Sequence, residues 1–476
     1  MAATLWIDVE DLFEYAAENT RPSGIQRLAY EIYRELHMAR DAACTIRFVR
    51  HATSGAGFCD VAWASIEALF ADLTDRKLAP TALHGKRQAP INGQGRLQKL
   101  LRPLPPRLRP AMGEVAGAAV ALARALRHLL SAAVTGRAKS GVAMLQAAAE
   151  QVQTMQPGDV IMVLGSPWSF RDYDQLIRRH RDEFGTRFAL LVYDLIPIRR
   201  PEFCDVYLVQ RFTEWLLPML PLCDQVFAIS QSSAADFEAF AADRGIDLQD
   251  QVRTIPIGTT VMAPASIAAV GAIGSGRVLP RPGSYALIVS TIEARKNHLL
   301  LFRVWRRLLE DLPADQVPVL VFAGRIGWLV DDLMRQISNT GNLGGKLIVW
   351  ESPTDAELSA LYSGCLFTLF PSLYEGWGLP VTESLAAGKP CLTSNTTSMP
   401  EAGAGLTRMF DPDNLHDAYR SIRTAIEDRA GLAAWEAQIR RDFRPVPWSA
   451  SARALLDGLF PPELETGAEM AGLCEG

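Results

Sequence analysis

The sequence predicts an α/β chain built as two successive doubly wound, parallel-sheet domains. Three observations carry this. Short, β-rich apolar runs recur along the chain and alternate with segments of helical spacing, the pattern of a parallel sheet with crossover helices. The series is interrupted once, by an Ala/Gly/Pro-rich stretch at 263–283 without strong periodicity, and then starts again. At 476 residues the chain is also too long for one core, so two domains with additions are expected. We therefore place an N-terminal domain at 1–270, a linker at 271–283, a second domain at 284–445 and a C-terminal helix and tail at 446–476.

Composition narrows the class. Apolar content of 49% and charged content of 21% are ordinary for a soluble globular enzyme. A net charge of −5 argues against nucleic-acid binding by the chain as a whole. The seven cysteines (44, 59, 204, 223, 365, 391 and 474) form no CxxC pair and no cluster with histidine. Zinc and disulfide frameworks are therefore not expected, and a reducing cytosol is. The start of the chain, MAATLWIDVEDLFEY, carries acids early and lacks the features of a signal peptide. No apolar run approaches the roughly 18 residues of a membrane span.

In the first domain, 4–9 (TLWIDV) reads as a buried strand, followed by acidic residues and the loop Arg21-Pro-Ser-Gly-Ile-Gln-Arg27. That loop opens a helix over 25–36, where Leu28, Ile32 and Leu36 have helical spacing. Gly24 permits close approach of a ligand or a facing domain, or simply makes a tight turn. Residues 46–50 and 58–63 read as strand material. Between 85 and 140 there are eleven Lys/Arg and one acid, Glu114, a local charge of +10. Leucines at 97, 100, 101, 104 and 108, and again at 122, 126, 129 and 130, form interrupted stripes there. Such a segment can lie on an anionic membrane surface, or pack its leucines on the protein and solvate its arginines. Strands resume at 158–164, ending in Gly165-Ser166-Pro167-Trp168, at 188–193, ending in Asp194, at 225–230 and briefly at 254–258.

In the second domain, strands are expected at 285–290, 319–323, 346–350, 365–370 and 390–394. The first ends in Thr291-Ile-Glu-Ala-Arg-Lys-Asn297 and the second in Gly324-Arg325-Ile-Gly-Trp328. Doubly wound domains bind ligands at the carboxyl ends of their strands, which is where these polar residues fall.

The stretch 370–383, FPSLYEGWGLPVTE, holds the most chemistry. A buried strand delivers a glycine-bearing turn into a helix that Pro380 starts and Gly388 stops. A helix N-terminus behind such a turn suits an anion, most often a phosphate. Glu375 and Glu383, eight positions apart, would repel a phosphate, so hydroxyl groups are their natural targets. A ligand with a phosphate and several hydroxyls is a sugar nucleotide. Glu293-Ala-Arg295-Lys296-Asn297 adds two adjacent cations at a strand end, able to neutralise a diphosphate without magnesium. Read alone, the same residues would make a solvated charged turn. Asp331-Asp332 is an adjacent pair at an expected helix start, not the DxD spacing that metal-dependent sugar transfer would suggest. Gly271-Ala-Ile-Gly-Ser-Gly276 has no strand before it, and Gly388-Lys389 lacks the rest of a P-loop.

The segment Ser290-Thr-Ile-Glu-Ala-Arg-Lys-Asn297 and the long run FPSLYEGWGLPVTESLAAGKPCLTSNTTSMPEAGAG resemble the signatures of retaining glycosyltransferase family 4. The likeness is strong over 285–410 and fainter at 23–27, 193–197, Ser230 and 255–258. It implies a GT-B architecture: two Rossmann-like domains facing across a cleft, with the C-terminal helix packing back on the first. It implies a nucleotide-sugar donor held mainly by the second domain, a glycan or lipid-linked acceptor, and no metal or other cofactor. The expected catalytic residues are Glu375, Asp194, Lys296 and Arg295. The expected donor-binding set is Gly24, Glu293, Arg295, Lys296, Gly324, Arg325, Glu375, Gly376, Trp377, Gly378, Leu379 and Glu383. Arg295 and Lys296 would hold the diphosphate, Glu375 the transferred sugar and Glu383 the ribose. Mannose from a GDP donor and bacterial surface polysaccharide assembly are the family-level expectation. The expected location is cytoplasmic, with a peripheral place on the inner face of the plasma membrane open through the basic segment. One departure stands out: where many members have a histidine before the aspartate, this chain has Tyr193, which leaves Asp194 or the Tyr193 hydroxyl as candidates. Other readings are a sugar-nucleotide epimerase, a glycan phosphorylase, or an inactive relative docked on a membrane in a glycan-assembly complex.

Overall fold

The computed structural model describes residues 3–75, 151–261 and 277–461, apart from 20, 40–43, 54, 56, 171, 247 and 249–251. The basic segment 85–140, the glycine run 271–276, Cys474 and the tail after 461 lie outside the described residues.

Two sheets organise the rest. The first has seven strands in the order β3-β2-β1-β4-β5-β6-β7. These are β1 (Thr4–Asp8), β2 (Thr45–His51), β3 (Phe58–Asp60), β4 (Val160–Val163), β5 (Arg187–Val192), β6 (Gln225–Ala228) and β7 (Val252–Thr254). All its pairings are parallel except β2 with β3. The second has six parallel strands in the order β10-β9-β8-β11-β12-β13. These are β8 (Tyr285–Val289), β9 (Val319–Ala323), β10 (Leu347–Trp350), β11 (Phe367–Phe370), β12 (Cys391–Ser394) and β13 (Arg408–Phe410). Helices cover both faces of each sheet, so strands such as β4 and β11 are buried at every position and read as unbroken apolar runs.

Several boundaries differ from the sequence reading. The acidic stretch after β1 is a helix, Glu10–Glu18, started by Asp8 Oδ1 accepting from the Glu10 amide at 3.0 Å. Only Phe58–Asp60 of the run 58–63 is strand. Trp63 begins a helix, Trp63–Asp75, whose Trp63, Ile66, Phe70 and Leu73 share one packed face. The strand expected at 254–258 lies at Val252–Thr254, because Pro256 has no N–H to extend the ladder. Ile255 to Gly258 instead receives the last helix, Trp448–Leu459: Ser451 Oγ accepts from the Gly258 amide and donates to the Pro256 carbonyl. A Cβ on Gly258 would meet the Trp448 ring at 2.2 Å. Trp448, Ala452, Leu455 and Leu459 join the core of the first sheet, where each buried leucine contributes about 1.5–3 kcal/mol. β13 is an additional edge strand, with Arg408 and Met409 exposed and only Phe410 buried.

The topology positions the site. In the second sheet β8 and β11 are neighbours, yet β8 connects outward to β9 and β11 outward to β12. Their following loops therefore leave in opposite directions and open a crevice, the switch point at which doubly wound sheets bind ligands.

Candidate functional site

Both loops at that crevice carry charge. After β8, Ala294–Lys296 forms a single tight turn and Asn297 takes a left-handed conformation, φ 58°. Asn297 is anchored by its side-chain amide donating to the Pro412 carbonyl. After β11, the chain reaches Glu375 before the helix Leu379–Ala386 begins. The result is a continuous ion cluster. Lys296 Nζ lies 2.5 Å from Glu375 Oε1, and Arg295 Nη1 lies 2.6 Å from Glu375 Oε2. Arg295 Nη2 lies 2.8 Å from Glu293 Oε1, and its Nη1 also donates to the Tyr374 carbonyl. Burial pushes the Glu375 carboxyl up, but Arg295 and then Lys296 outweigh it and bring it down to about 2. The same carboxylates hold the Arg295 guanidinium above its ordinary range against the opposing effect of burial.

The sequence reading gave the cations and Glu375 separate targets. In the structure they are partners of one another. Two cations face two carboxylates, so the cluster is close to neutral and strongly polarised. Glu383 is set apart: it lies further along the helix and accepts from the Tyr362 hydroxyl at 2.9 Å. Burial raises its carboxyl above the usual range, with the Tyr362 hydrogen bond opposing.

The glycines of the turn are explained by close approach. A Cβ on Gly376 would lie 2.2 Å from the Tyr193 carbonyl oxygen of the first domain, and one on Gly378 would lie 2.7 Å from Met399 Cε. Trp377 is partly buried with its indole N–H lacking an acceptor among the described residues. A Cβ on Gly24 would lie 3.9 Å from Leu379 Cδ1 across the domains, an ordinary contact. Gly324 packs on the Ser290 carbonyl, with no room for a Cβ, and Arg325 beside it is exposed without an ion pair among the described residues.

The opposing wall is the end of β5. Asp194 Oδ1 accepts from the Ile196 amide at 3.0 Å. Burial raises its carboxyl, Arg295 and Lys296 pull it down, and Glu375 adds to the rise, so it shares the field of the cluster. The Tyr193 hydroxyl does not. It donates to the Leu164 carbonyl at 2.6 Å inside the domain, which leaves Asp194 as the group of this pair that meets the cluster.

Further side chains fasten the two domains at this level. Glu401 accepts from the amides of Gln231 and Ser232 at 2.8 and 3.1 Å, capping the helix Gln231–Ala242 from across the cleft. Ser233 Oγ lies 2.8 Å from the Tyr193 carbonyl and 3.3 Å from that of Gly376. The Tyr374 hydroxyl donates to Asp236. Arg21 donates to the Ser352 and Pro353 carbonyls, and Arg27 pairs with Asp355 at 2.9 Å. Of these, Arg21 and Arg27 stood in a loop singled out from sequence. Glu401 and Tyr374 lie inside the long signature and had no separate signal.

Beside Asp194 and Arg295 opens a cavity of about 200 Å³ with walls from Trp168, Phe203, Phe212 and Trp215. A second carboxylate is buried at the ends of β1 and β4. Asp11 Oδ2 accepts from the Ser166 amide at 2.9 Å, and Asp11 Oδ1 has no partner among the described residues. Burial raises this carboxyl to about 7, with the Ser166 amide opposing and Asp8 adding to the rise. Among the described residues no three His, Cys, Asp or Glu side chains group as a metal site, and no helix is long and apolar enough to cross a membrane.

Comparison with known proteins gives a consistent picture. Residues 278–442 match the family described as glycosyl transferases group 1. The chain is 28% identical over 303 residues to a serotype-specific mannosyltransferase WbdA of Escherichia coli, covering 61% of this chain and 36% of that protein. It is 32% identical over 144 residues to O-antigen chain mannosyltransferase B of Escherichia coli, covering 30% of this chain and 37% of that one. The matches thus span little more than a third of these relatives' lengths. A glycosyltransferase from Rickettsia africae ESF-5 shares the fold, with a TM-score of 0.53 at 12% identity over 96% of this chain and 99% of that one. So does the N-terminal domain of Candida albicans trehalose-6-phosphate phosphatase, with a TM-score of 0.53 at 14% identity over 96% and 97%. The two facing Rossmann-like sheets are the GT-B architecture.

Proposed function

We propose that this chain, which belongs to the glycosyl transferases group 1 family through its residues 278–442, transfers a sugar from a nucleoside diphosphate donor to a glycan or lipid-linked acceptor. The transfer retains the anomeric configuration and uses no metal ion. The observation that carries this reading is the Arg295–Glu375–Lys296 cluster at the switch point of the second sheet. Two cations there are held in place by a carboxylate that an incoming diphosphate can displace. Once displaced, Glu375 is free to accept from the hydroxyls of the transferred sugar, while the cations and the N-terminus of the helix Leu379–Ala386 take the diphosphate. Glu383, one helical turn or more away, is placed for the ribose.

In the reaction, the bond from the anomeric carbon to the diphosphate oxygen breaks, and the acceptor oxygen bonds to that carbon on the same face. The acceptor's hydroxyl proton passes to the departing phosphate. Negative charge grows on the diphosphate, where Arg295 and Lys296 stabilise it. Asp194, across the cleft, stabilises the positive charge that develops on the sugar ring. The interdomain fastenings through Glu401, Tyr374 and Ser233 bring this wall against the donor.

Mannose from GDP-mannose is the donor we favour, because two matched relatives are named as mannosyltransferases. Surface polysaccharide assembly is the setting, by likeness to the relative named for O-antigen chains. The test is incubation of the purified chain with GDP-mannose and an α-linked mannan oligosaccharide in EDTA, with the product's anomeric configuration read by NMR. An α-mannosyl product from the α-linked donor supports the reading. An inverted product, or no nucleotide release from GDP-, UDP- or dTDP-sugars, overturns it.

A further inference from the structure

A second cavity, of about 380 Å³, is lined wholly by the first domain and adjoins the first cavity. Trp168 and Trp215 line both, so the two cavities share these residues as wall. Their chemistry differs. The inner cavity is walled almost wholly by apolar groups, with Asp194 and Arg295 at one side. The outer one sets ring faces, including Tyr207, beside Asp174, Arg211 and Glu214. Ring faces that can cover C–H surfaces, alternating with carboxylates and a guanidinium that can pair hydroxyls, are the composition that recognises a pyranose.

One observation indicates that this surface is built to be covered. Tyr207 is 60% exposed on the helix Val206–Met219, yet it is held in position. Arg211 donates to its hydroxyl at 2.9 Å and lies over its ring, while also donating to the Ser169 carbonyl. That bracing presents a fixed aromatic face to solvent.

We infer that the outer cavity is a subsite for a neutral sugar unit of the acceptor glycan, one or more units behind the hydroxyl that reacts at Asp194. The inference rests on the glycosyltransferase reading and adds to it a preference for an oligosaccharide over a monosaccharide acceptor. Trp215 and Tyr207 hold the sugar ring, and Asp174, Arg211 and Glu214 pair its hydroxyls. It is tested on the full chain by calorimetric titration with α-linked mannobiose and mannotetraose, with maltotetraose for comparison and GDP as the donor-side probe. Tyr207→Ala and Glu214→Ala are the variants, since both positions are exposed and lie outside the ion cluster. The expected result is tighter binding of mannotetraose than of mannobiose. Each variant should reduce that advantage by about fivefold or more while GDP affinity stays unchanged, for a lost ring face or charge-assisted hydrogen bond. The same behaviour with maltotetraose supports a glycan subsite that does not discriminate the sugar. If GDP binds but neither tetrasaccharide does, or if the variants match the parent chain, the subsite is overturned and the donor reading stands. If tetrasaccharides bind with this variant pattern while GDP, UDP and dTDP do not bind, the subsite stands and the donor reading fails.

Discussion

Replacing Glu375 by Gln separates the two roles assigned to this carboxylate. It is 7% exposed and is the shared partner of Arg295 and Lys296, at 2.6 and 2.5 Å. Its carboxyl sits at about 2 against an ordinary 4.5, which corresponds to about 3 kcal/mol of stability at neutral pH. An independent route agrees: removing one partner of a buried ion pair costs roughly 3–5 kcal/mol, because the other charge is left unpaired. Glu375→Gln should therefore lower the melting temperature by roughly 6–12 °C at about 2–4 °C per kcal/mol. It should also bind pyrophosphate or GDP more tightly than the parent chain, because the competing anion is gone, and those ligands should recover more melting temperature in the variant. Transfer should nevertheless be lost. Since the carboxyl is lowered in the folded chain, the stability it provides is present above about pH 4.5 and is lost as pH falls toward 2. Thermal scans from pH 7 to pH 3, with and without pyrophosphate, make the measurement. A variant as stable as the parent, or one with weaker diphosphate binding, would refute the displacement mechanism.

Other outcomes are equally specific. Lys296→Ala should weaken GDP binding about 10–100-fold in titration calorimetry, the loss of one charge-assisted contact; unchanged affinity would remove Lys296 from the diphosphate site. Gly376→Ala places a Cβ 2.2 Å from the Tyr193 carbonyl, which must push the facing domains apart, so kcat should fall about 10²-fold; a fully active variant would show that this contact does not set the catalytic geometry. Asp11 has its carboxyl raised to about 7 by burial, so the folded chain keeps a proton that the unfolded chain releases near pH 4. Stability from this group is therefore fully present below about pH 4 and is lost as pH rises to 7. Asp11→Asn should match the parent at pH 4 and exceed it by on the order of 4 kcal/mol at pH 8; parallel pH profiles would contradict this.

The sheet strands were the most legible part of the sequence, because burial on both faces forces continuous apolar runs such as Val160–Val163 and Phe367–Phe370. Elements whose burial is partial were harder. The helix Glu10–Glu18 buries only Leu12 and Ala16 among its apolar residues, so its acids masked its spacing, and β13 buries one residue of three. The site was legible as residue types in loops, and Glu293, Arg295, Lys296 and Glu375 do meet. Their mutual pairing was not, since it depends on β8 lying beside β11 and joins residues 79 positions apart. Tyr193 shows the converse. Its place before Asp194 made it a candidate, but only the fold reveals that its hydroxyl is satisfied inside the domain by Leu164. Glu401 carried no signal of its own within the long run 370–405, yet it caps a helix of the opposite domain.

The most direct test of the diphosphate site is calorimetric titration of GDP and GDP-mannose into the full chain in EDTA, repeated with Arg295→Ala. Binding in EDTA that Arg295→Ala weakens about 10-fold or more is the expected result. Binding that requires added magnesium, or that is indifferent to Arg295, would contradict a metal-independent diphosphate site at the Arg295–Glu375–Lys296 cluster.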